Sequence, residues 1–177
     1  MTCVHTGFVV WLTGLPASGK TTTAKALQKK LYSIGLKSEI LDGDQVRKAI
    51  SPELGFSKGD RELHAKRVAY ISHLLSRNGI IVIVSLISPL RSFRDYAREI
   101  IGNFVEVWVK CSIEECNKRD PKGLYKNAFQ GKISNLTGIQ DPYEPPFKAE
   151  VVIDTEKQSP NECTERIMNC LNKLKYI

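Results

Sequence analysis

Short apolar runs alternate with stretches of helical spacing along this chain. Phe8-Val9-Val10-Trp11-Leu12 is β-branched and aromatic, the pattern of a buried strand, and Ala24, Leu27 and Leu31 then recur at helical intervals over Thr21 to Leu31. Ser38-Glu39-Ile40-Leu41 predicts a second short strand, followed by the turn Asp42-Gly43-Asp44 and a short helix through Arg47 and Ile50. Ser51 to Phe56, with its Pro and Gly, is loop. From Lys58 to Arg77, Val68, Ile71, Leu74 and Leu75 mark one helix face. Ile80 to Val84 is a continuous β-branched run, as in a central parallel strand buried on both faces. Pro89 to Ile101 predicts a helix with Pro89 in its first turn. Phe104 to Val109 reads as the fourth strand, with a helix to Arg119, and Val151 to Ile153 as the fifth, with a closing helix from Asn161 to Leu174. Strand–helix alternation of this kind predicts a three-layer α/β fold with a mostly parallel five-stranded sheet, spanning 1–177 as one domain.

The stretch from Asp120 to Pro146 breaks the alternation. It is rich in Pro, Gly and Lys, yet it holds Tyr125, Phe129, Leu136, Ile139 and Tyr143, too many large apolar groups for a plain linker. The expectation is a basic lid that closes over bound phosphates and excludes water.

The chemistry starts at the end of the first strand. Gly14-Leu15-Pro16-Ala17-Ser18-Gly19-Lys20-Thr21 fits G-x-x-x-x-G-K-[ST] and lies between a strand and a helix, where that motif has physical meaning. Loop N–H groups and the helix dipole converge on one point, and Lys20 adds a full charge, so the segment makes a phosphate cradle. This is the P-loop NTPase arrangement, and the expected ligand is a nucleoside triphosphate. Two further matches suggest a GTPase, Asn117-Lys118-Arg119-Asp120 for N-K-x-D and Asp120-Pro121-Lys122-Gly123 for D-x-x-G. They share one aspartate and fall at a helix end, whereas guanine recognition needs them on separate strand ends, so both are coincidental.

Composition narrows the rest. A formal net charge of +7 could suit a nucleic acid, but the cations are dispersed and no aromatic-basic platform is present, so no nucleic-acid partner is expected. No apolar run approaches the ~20 residues of a membrane span, and no secretory signal or membrane partner is expected. The five cysteines (Cys3, Cys111, Cys116, Cys163 and Cys170) include no C-x-x-C pair, which disfavours zinc or a disulfide framework and points to a reducing, cytoplasmic setting.

A small-molecule kinase accounts for the polar groups that follow the second and third strands. A phosphoryl acceptor must be held in line with the γ-phosphate near a carboxylate, a task for which Asp44 is well placed, while an Asx turn or N-cap would need only one of Asp42 and Asp44. Arg47, Arg61 and Lys122 suit an acceptor that is itself anionic.

The P-loop through Thr22, Leu41-Asp42-Gly43-Asp44-x-Val46-Arg47, Leu54-Gly55-Phe56-Ser57-x-x-Asp60-Arg61-Glu62 and Ile87-Ser88-Pro89 together resemble the adenylylsulfate kinase family. So do Arg119-Asp120-x-Lys122-Gly123-Leu124-Tyr125-Lys126 and Leu136-Thr137-Gly138-Ile139-x-Asp141-Pro142-Tyr143-Glu144-x-Pro146. These blocks run in family order from residue 8 to about residue 155. The resemblance implies transfer of the ATP γ-phosphate to the 3′-hydroxyl of adenosine 5′-phosphosulfate, giving 3′-phosphoadenosine 5′-phosphosulfate. It also implies that Gly14 to Thr22 bind ATP, that Thr21 with Asp44 organises Mg²⁺, and that Lys20 and Asp44 serve the transfer. Arg47 and Arg61 would hold the phosphosulfate, Phe56 would stack on the acceptor adenine, and Ile87, Lys122, Leu136 and Thr137 match other acceptor contacts. Ser88 matches a serine assigned in the family as a phosphoserine intermediate. No activating base flanks it, so a hydrogen bond to the substrate is the preferred role. Where the family usually has Asn this chain has His64, which either contacts the acceptor, tightening binding below pH ~6.5, or faces solvent. Leu90, where the family commonly has Tyr, reads as a packing change. The family also suggests a homodimer. A kinase of another small anionic metabolite is the competing expectation.

Overall fold

The computed structural model describes residues 7–177, so Cys3 lies outside the described residues. Five strands, β1 (Val9–Thr13), β2 (Ser38–Asp42), β3 (Ile81–Ser85), β4 (Phe104–Lys110) and β5 (Val151–Asp154), form one sheet in the order β2-β3-β1-β4-β5, and every pairing is parallel. The helices are α1 (Lys20–Ser33), α2 (Gly43–Ile50), α3 (Lys58–Arg77), α4 (Arg91–Ile101), α5 (Ile113–Arg119), α6 (Leu124–Phe129) and α7 (Pro160–Lys173).

Every residue of β1 and β3 is buried, which is why those runs lack polar alternation. On one face Val10, Leu12, Ile83 and Val107 pack with Leu27 and Leu31 of α1 and Ile167 and Leu171 of α7. On the other, Val9, Trp11, Val82 and Val84 pack with Val68 and Ala69 of α3 and Ala97 of α4. Each fully buried aliphatic side chain in these layers contributes about 1.5–3 kcal/mol. The long helices begin at firm stops. Ser57 and Asp60 form a capping box on α3, as do Ser159 and Glu162 on α7.

Parallel strands all end on one edge, and the crossovers leave β1 and β3 toward opposite sides of the sheet. Ligands bind at such a point. Gly14, Asp42, the Ser85–Ser88 segment and Cys111 all follow strand ends on this edge.

Three local expectations need correction. No turn separates β2 from α2, because Asp42 caps the helix directly by accepting from the N–H groups of Asp44 and Gln45. Helix α4 starts at Arg91 with Leu90 as its N-cap, so Pro89 lies outside its first turn. The cause is Ser88, whose φ of +39° turns the chain before α4 can begin. Third, the 120–146 segment carries its own helix, α6. Its six residues are too few to show a period, and they start from Gly123 in a left-handed conformation. Tyr125 and Leu136 are buried there with Cys111 and Cys116 beneath the P-loop, while Phe129 is exposed.

Candidate active site

The P-loop folds as a cradle because its glycines sit where a side chain does not fit. A Cβ at Gly14 would lie 2.5 Å from the Val109 carbonyl oxygen, and one at Gly138 of the lid would lie 2.7 Å from Leu15 Cδ2. The lid therefore packs against the loop at closest range. Tyr125 adds a hydrogen bond from its hydroxyl to the Pro16 carbonyl at 3.1 Å, and Thr155 Oγ1 donates to the Ser18 carbonyl at 2.9 Å from the other side. Lys20 is buried, and its ammonium donates to the carbonyls of Gly14 (3.0 Å) and Leu15 (2.6 Å). Burial pushes its pKa down to about 8.

A cleft of about 1110 Å³ opens from this cradle. Pro16, Ala17 and Gly19 to Thr22 line one part, Asp42, Asp44, Arg47, Phe56, Arg61 and His64 another, with Ser85 to Pro89 and Lys122 completing the walls. Phe56 is largely exposed to the cleft, flanked by two guanidinium groups, Arg47 at 5.0 Å and Arg61 at 5.7 Å from the ring centre. Arg47 donates to the Gly55 carbonyl at 2.7 Å. Arg61 reaches across to the lid, donating to Thr137 Oγ1 at 3.1 Å and to the Asn135 carbonyl, with Asp141 at 3.8 Å. Thr137 is thereby tied to Arg61, but Thr137 and Leu136 are both buried and neither lines the cleft.

The two aspartates divide their work. Thr21 Oγ1 donates to Asp42 Oδ2 at 2.9 Å and lies 3.3 Å from Ser85 Oγ. Asp44 instead pairs with Lys122 of the lid. The structure thus brings Thr21 together with Asp42 and Ser85, and Asp44 together with Lys122. Asp42 ends β2 and caps α2, and that capping signal hid its bond from Thr21. Ser85 carried no signal beyond being the last residue of an apolar run.

Ser88 is buried. Its hydroxyl accepts from Trp11 Nε1 at 3.0 Å, and its carbonyl accepts from Arg94 at 2.6 Å. The preceding Ile87 carbonyl accepts from Thr13 Oγ1 at 2.7 Å. His64 is buried too, so the solvent-facing alternative is excluded. Ser51 Oγ accepts from Arg67 at 3.2 Å and lies 3.0 Å from His64 Nδ1, a pair in which the donor follows the imidazole tautomer. Nε2 makes no hydrogen bond. Burial, then Arg47 and Arg67, push the His64 pKa down to about 4, so the ring is neutral at pH ~6.5 in the free protein.

The adenylylsulphate kinase family model matches residues 6–154. An adenylyl-sulfate kinase from Picosynechococcus sp. is 49% identical over 173 residues, which cover 98% of this chain and 98% of that protein. The chain belongs to the adenylylsulphate kinase family. The fold agrees with that of the Mycobacterium tuberculosis APS kinase CysC, solved in complex with AMPPNP and APS, at a TM-score of 0.91 and 35% identity over 94% of this chain and 98% of that one. A hexameric APS kinase from Thiobacillus denitrificans matches at a TM-score of 0.74 and 30% identity, over 98% of this chain and 30% of that longer one. For a family whose members are named for a kinase activity, a P-loop facing a cationic, aromatic subsite across one cleft is the relevant geometry.

Proposed function

We propose that the protein transfers the γ-phosphate of ATP to the 3′-hydroxyl of adenosine 5′-phosphosulfate. The observation that carries this reading is the single cleft that joins the Gly14–Thr22 cradle to the Arg47–Phe56–Arg61 cluster, with carboxylates from the end of β2 and the start of α2 in the same walls. Gly14, Leu15, Pro16, Ala17, Ser18, Gly19, Lys20, Thr21 and Thr22 take the triphosphate. Lys20 leaves the loop carbonyls to meet phosphate oxygens, where its charge offsets charge that develops during transfer.

Thr21, Asp42 and Ser85 offer hydroxyl and carboxylate oxygens only, a donor set that suits Mg²⁺ held jointly with the phosphates and water. Asp42 joins Thr21 in this role, and Asp44 completes the anionic side near the acceptor. When bound, Mg²⁺ supplies charge neutralisation of the phosphoryl oxygens. Asp44 orients the 3′-hydroxyl, and Lys122 moves between Asp44 and the incoming anion as the lid adjusts.

Phe56 stacks on the acceptor adenine, and Arg47 and Arg61 hold the phosphosulfate, an anion suited to fork-shaped donors. Ile87 walls the acceptor, and Leu136 and Thr137, buried in this structure, would reach it as the lid adjusts. His64 offers its unpartnered Nε2 as a neutral hydrogen-bonding group. Ser88 contributes a hydroxyl hydrogen bond. The assembly is proposed as a homodimer working in the cytoplasm, readings that rest on the family resemblance and on reduced cysteines. Among the described residues no helix is long and apolar enough to cross a membrane.

Phosphorus NMR of the product tests the site of transfer. One new monoester resonance coupled to the ribose H3′ supports the reading, and coupling to any other position rejects it.

A further inference from the structure

We propose that Arg94 is a positioning residue for phosphoryl transfer, fixing the Ile87–Ser88 segment against the acceptor and against the far end of the lid. Arg94 is 2% exposed and lies in the first turn of α4, outside the cleft lining. Its guanidinium meets three separate parts of the chain. NH1 donates to the Ser88 carbonyl at 2.6 Å, NH2 donates to the Glu144 carbonyl at 2.7 Å, and Nε lies 2.7 Å from Glu106 Oε1 on β4.

Each contact holds something that moves relative to the others if released. Ser88 sits at a φ of +39°, which costs a non-glycine residue free energy unless its surroundings hold it. Glu144 ends the lid, and its N–H donates to the Pro89 carbonyl at 2.8 Å, one residue past Ser88. Tyr143, beside it, shares a 3.1 Å hydrogen bond with Thr13 Oγ1, which itself holds the Ile87 carbonyl at 2.7 Å. Glu106 is anchored in the sheet, in register with Trp11, and Trp11 donates to the Ser88 hydroxyl. The cluster therefore closes on itself from β1, β4, α4 and the lid.

A buried ion pair contributes little net stability, because desolvation offsets the attraction. An apolar side chain would fill this space as well. What apolar packing cannot do is set two carbonyl oxygens at fixed angles beside a buried carboxylate, and a rigid planar fork does. Positional specification is thus the use that explains a buried arginine here. Since Ile87 and Ser88 are read as acceptor contacts, the inference rests on the proposed function, and a small error in their placement would misalign the acceptor hydroxyl with the γ-phosphate.

The test compares Arg94→Lys with the parent protein, both also carrying Trp108→Phe so that Trp11 is the sole tryptophan. Steady-state KM is measured separately for adenosine 5′-phosphosulfate and for ATP, and emission of Trp11 is recorded. Expected are a rise of tenfold or more in the acceptor KM, an ATP KM within about twofold of the parent, and a shifted Trp11 emission. A lysine cannot span three acceptors, so retention of the fold is compatible with this pattern. Equal changes in both KM values, or unchanged kinetics and emission in the folded variant, overturn the proposal. If Arg94→Lys does not fold, Tyr143→Phe is read in the same way, and absence of the acceptor-selective rise there overturns it. Should the parent itself show no turnover with adenosine 5′-phosphosulfate, the functional reading fails by that result. The emission comparison then decides the positioning role alone.

Discussion

The indole N–H of Trp11 donates to the hydroxyl of Ser88 at 3.0 Å, so a fully buried ring occupies one of the two lone pairs on that oxygen. The hydroxyl donates to the Leu86 carbonyl at 3.4 Å, an amide oxygen too weakly basic to take its proton. Direct in-line transfer asks for no such base. Ser88→Ala is therefore expected to keep kcat within about tenfold of the parent, and mass spectrometry of the parent under turnover should find no phosphoserine at Ser88. The variant loses about 1–2 kcal/mol of stability in urea denaturation, because Trp11 Nε1–H is left buried and unpaired. Loss of turnover together with a trapped phosphoserine would restore the covalent route.

Lys20 gives nucleotide binding a pH dependence. Its pKa in the free protein is lowered to about 8, and a bound phosphate raises it by opposite charge. Binding above pH 8 must therefore take up a proton, and ATP affinity should weaken by up to about tenfold per pH unit there. Calorimetry in buffers of different ionisation enthalpy measures that uptake directly. An affinity flat to pH 9.5 would mean that Lys20 keeps an ordinary lysine pKa. Lys20→Met should cost kcat/KM roughly 10²–10³-fold or more.

His64 governs acid stability, and it meets the acceptor as a neutral ring at pH 5.5 and above. Its folded pKa of about 4 lies below the ~6.5 of an unfolded histidine, so between those values the unfolded chain binds the proton and the folded one does not. Stability from this group is present above pH ~6.5 and falls as pH drops toward about 4, by about 3 kcal/mol in all. Urea denaturation at pH 7 and pH 4.5 should show the loss in the parent and much less of it in His64→Asn. Acceptor affinity should not tighten between pH 7 and pH 5.5.

Arg61 links the acceptor subsite to the lid through Thr137, Asn135 and Asp141. Arg61→Ala should raise the acceptor KM by about tenfold or more and speed proteolytic cleavage within residues 130–142, while ATP affinity changes little. Unchanged cleavage would separate Arg61 from lid closure.

The order of elements and the donor cradle were legible in the sequence because both are local. The apolar runs of β1 and β3 span few residues, and the P-loop is one contiguous motif between a strand and a helix. What escaped depends on contacts across long separations. Arg94 meets Ser88, Glu106 and Glu144, and nothing in Arg91-Ser92-Phe93-Arg94 signals a buried cation. His64 had been expected to titrate near neutrality, yet Ser51, Arg67 and Arg47 surround it only after folding. Asp42 and Asp44 could not be divided from spacing alone, since the division follows from which partner each meets in the fold, Thr21 for Asp42 and Lys122 for Asp44.

The central claim is that one cleft couples ATP to adenosine 5′-phosphosulfate. The most direct measurement is ADP release with ATP and Mg²⁺, run with adenosine 5′-phosphosulfate, with other small anionic acceptors such as gluconate or shikimate, and with no acceptor. ADP release that depends on adenosine 5′-phosphosulfate and is at background with the others is the predicted result. Release supported equally by another acceptor, or unaffected by adenosine 5′-phosphosulfate, would contradict it.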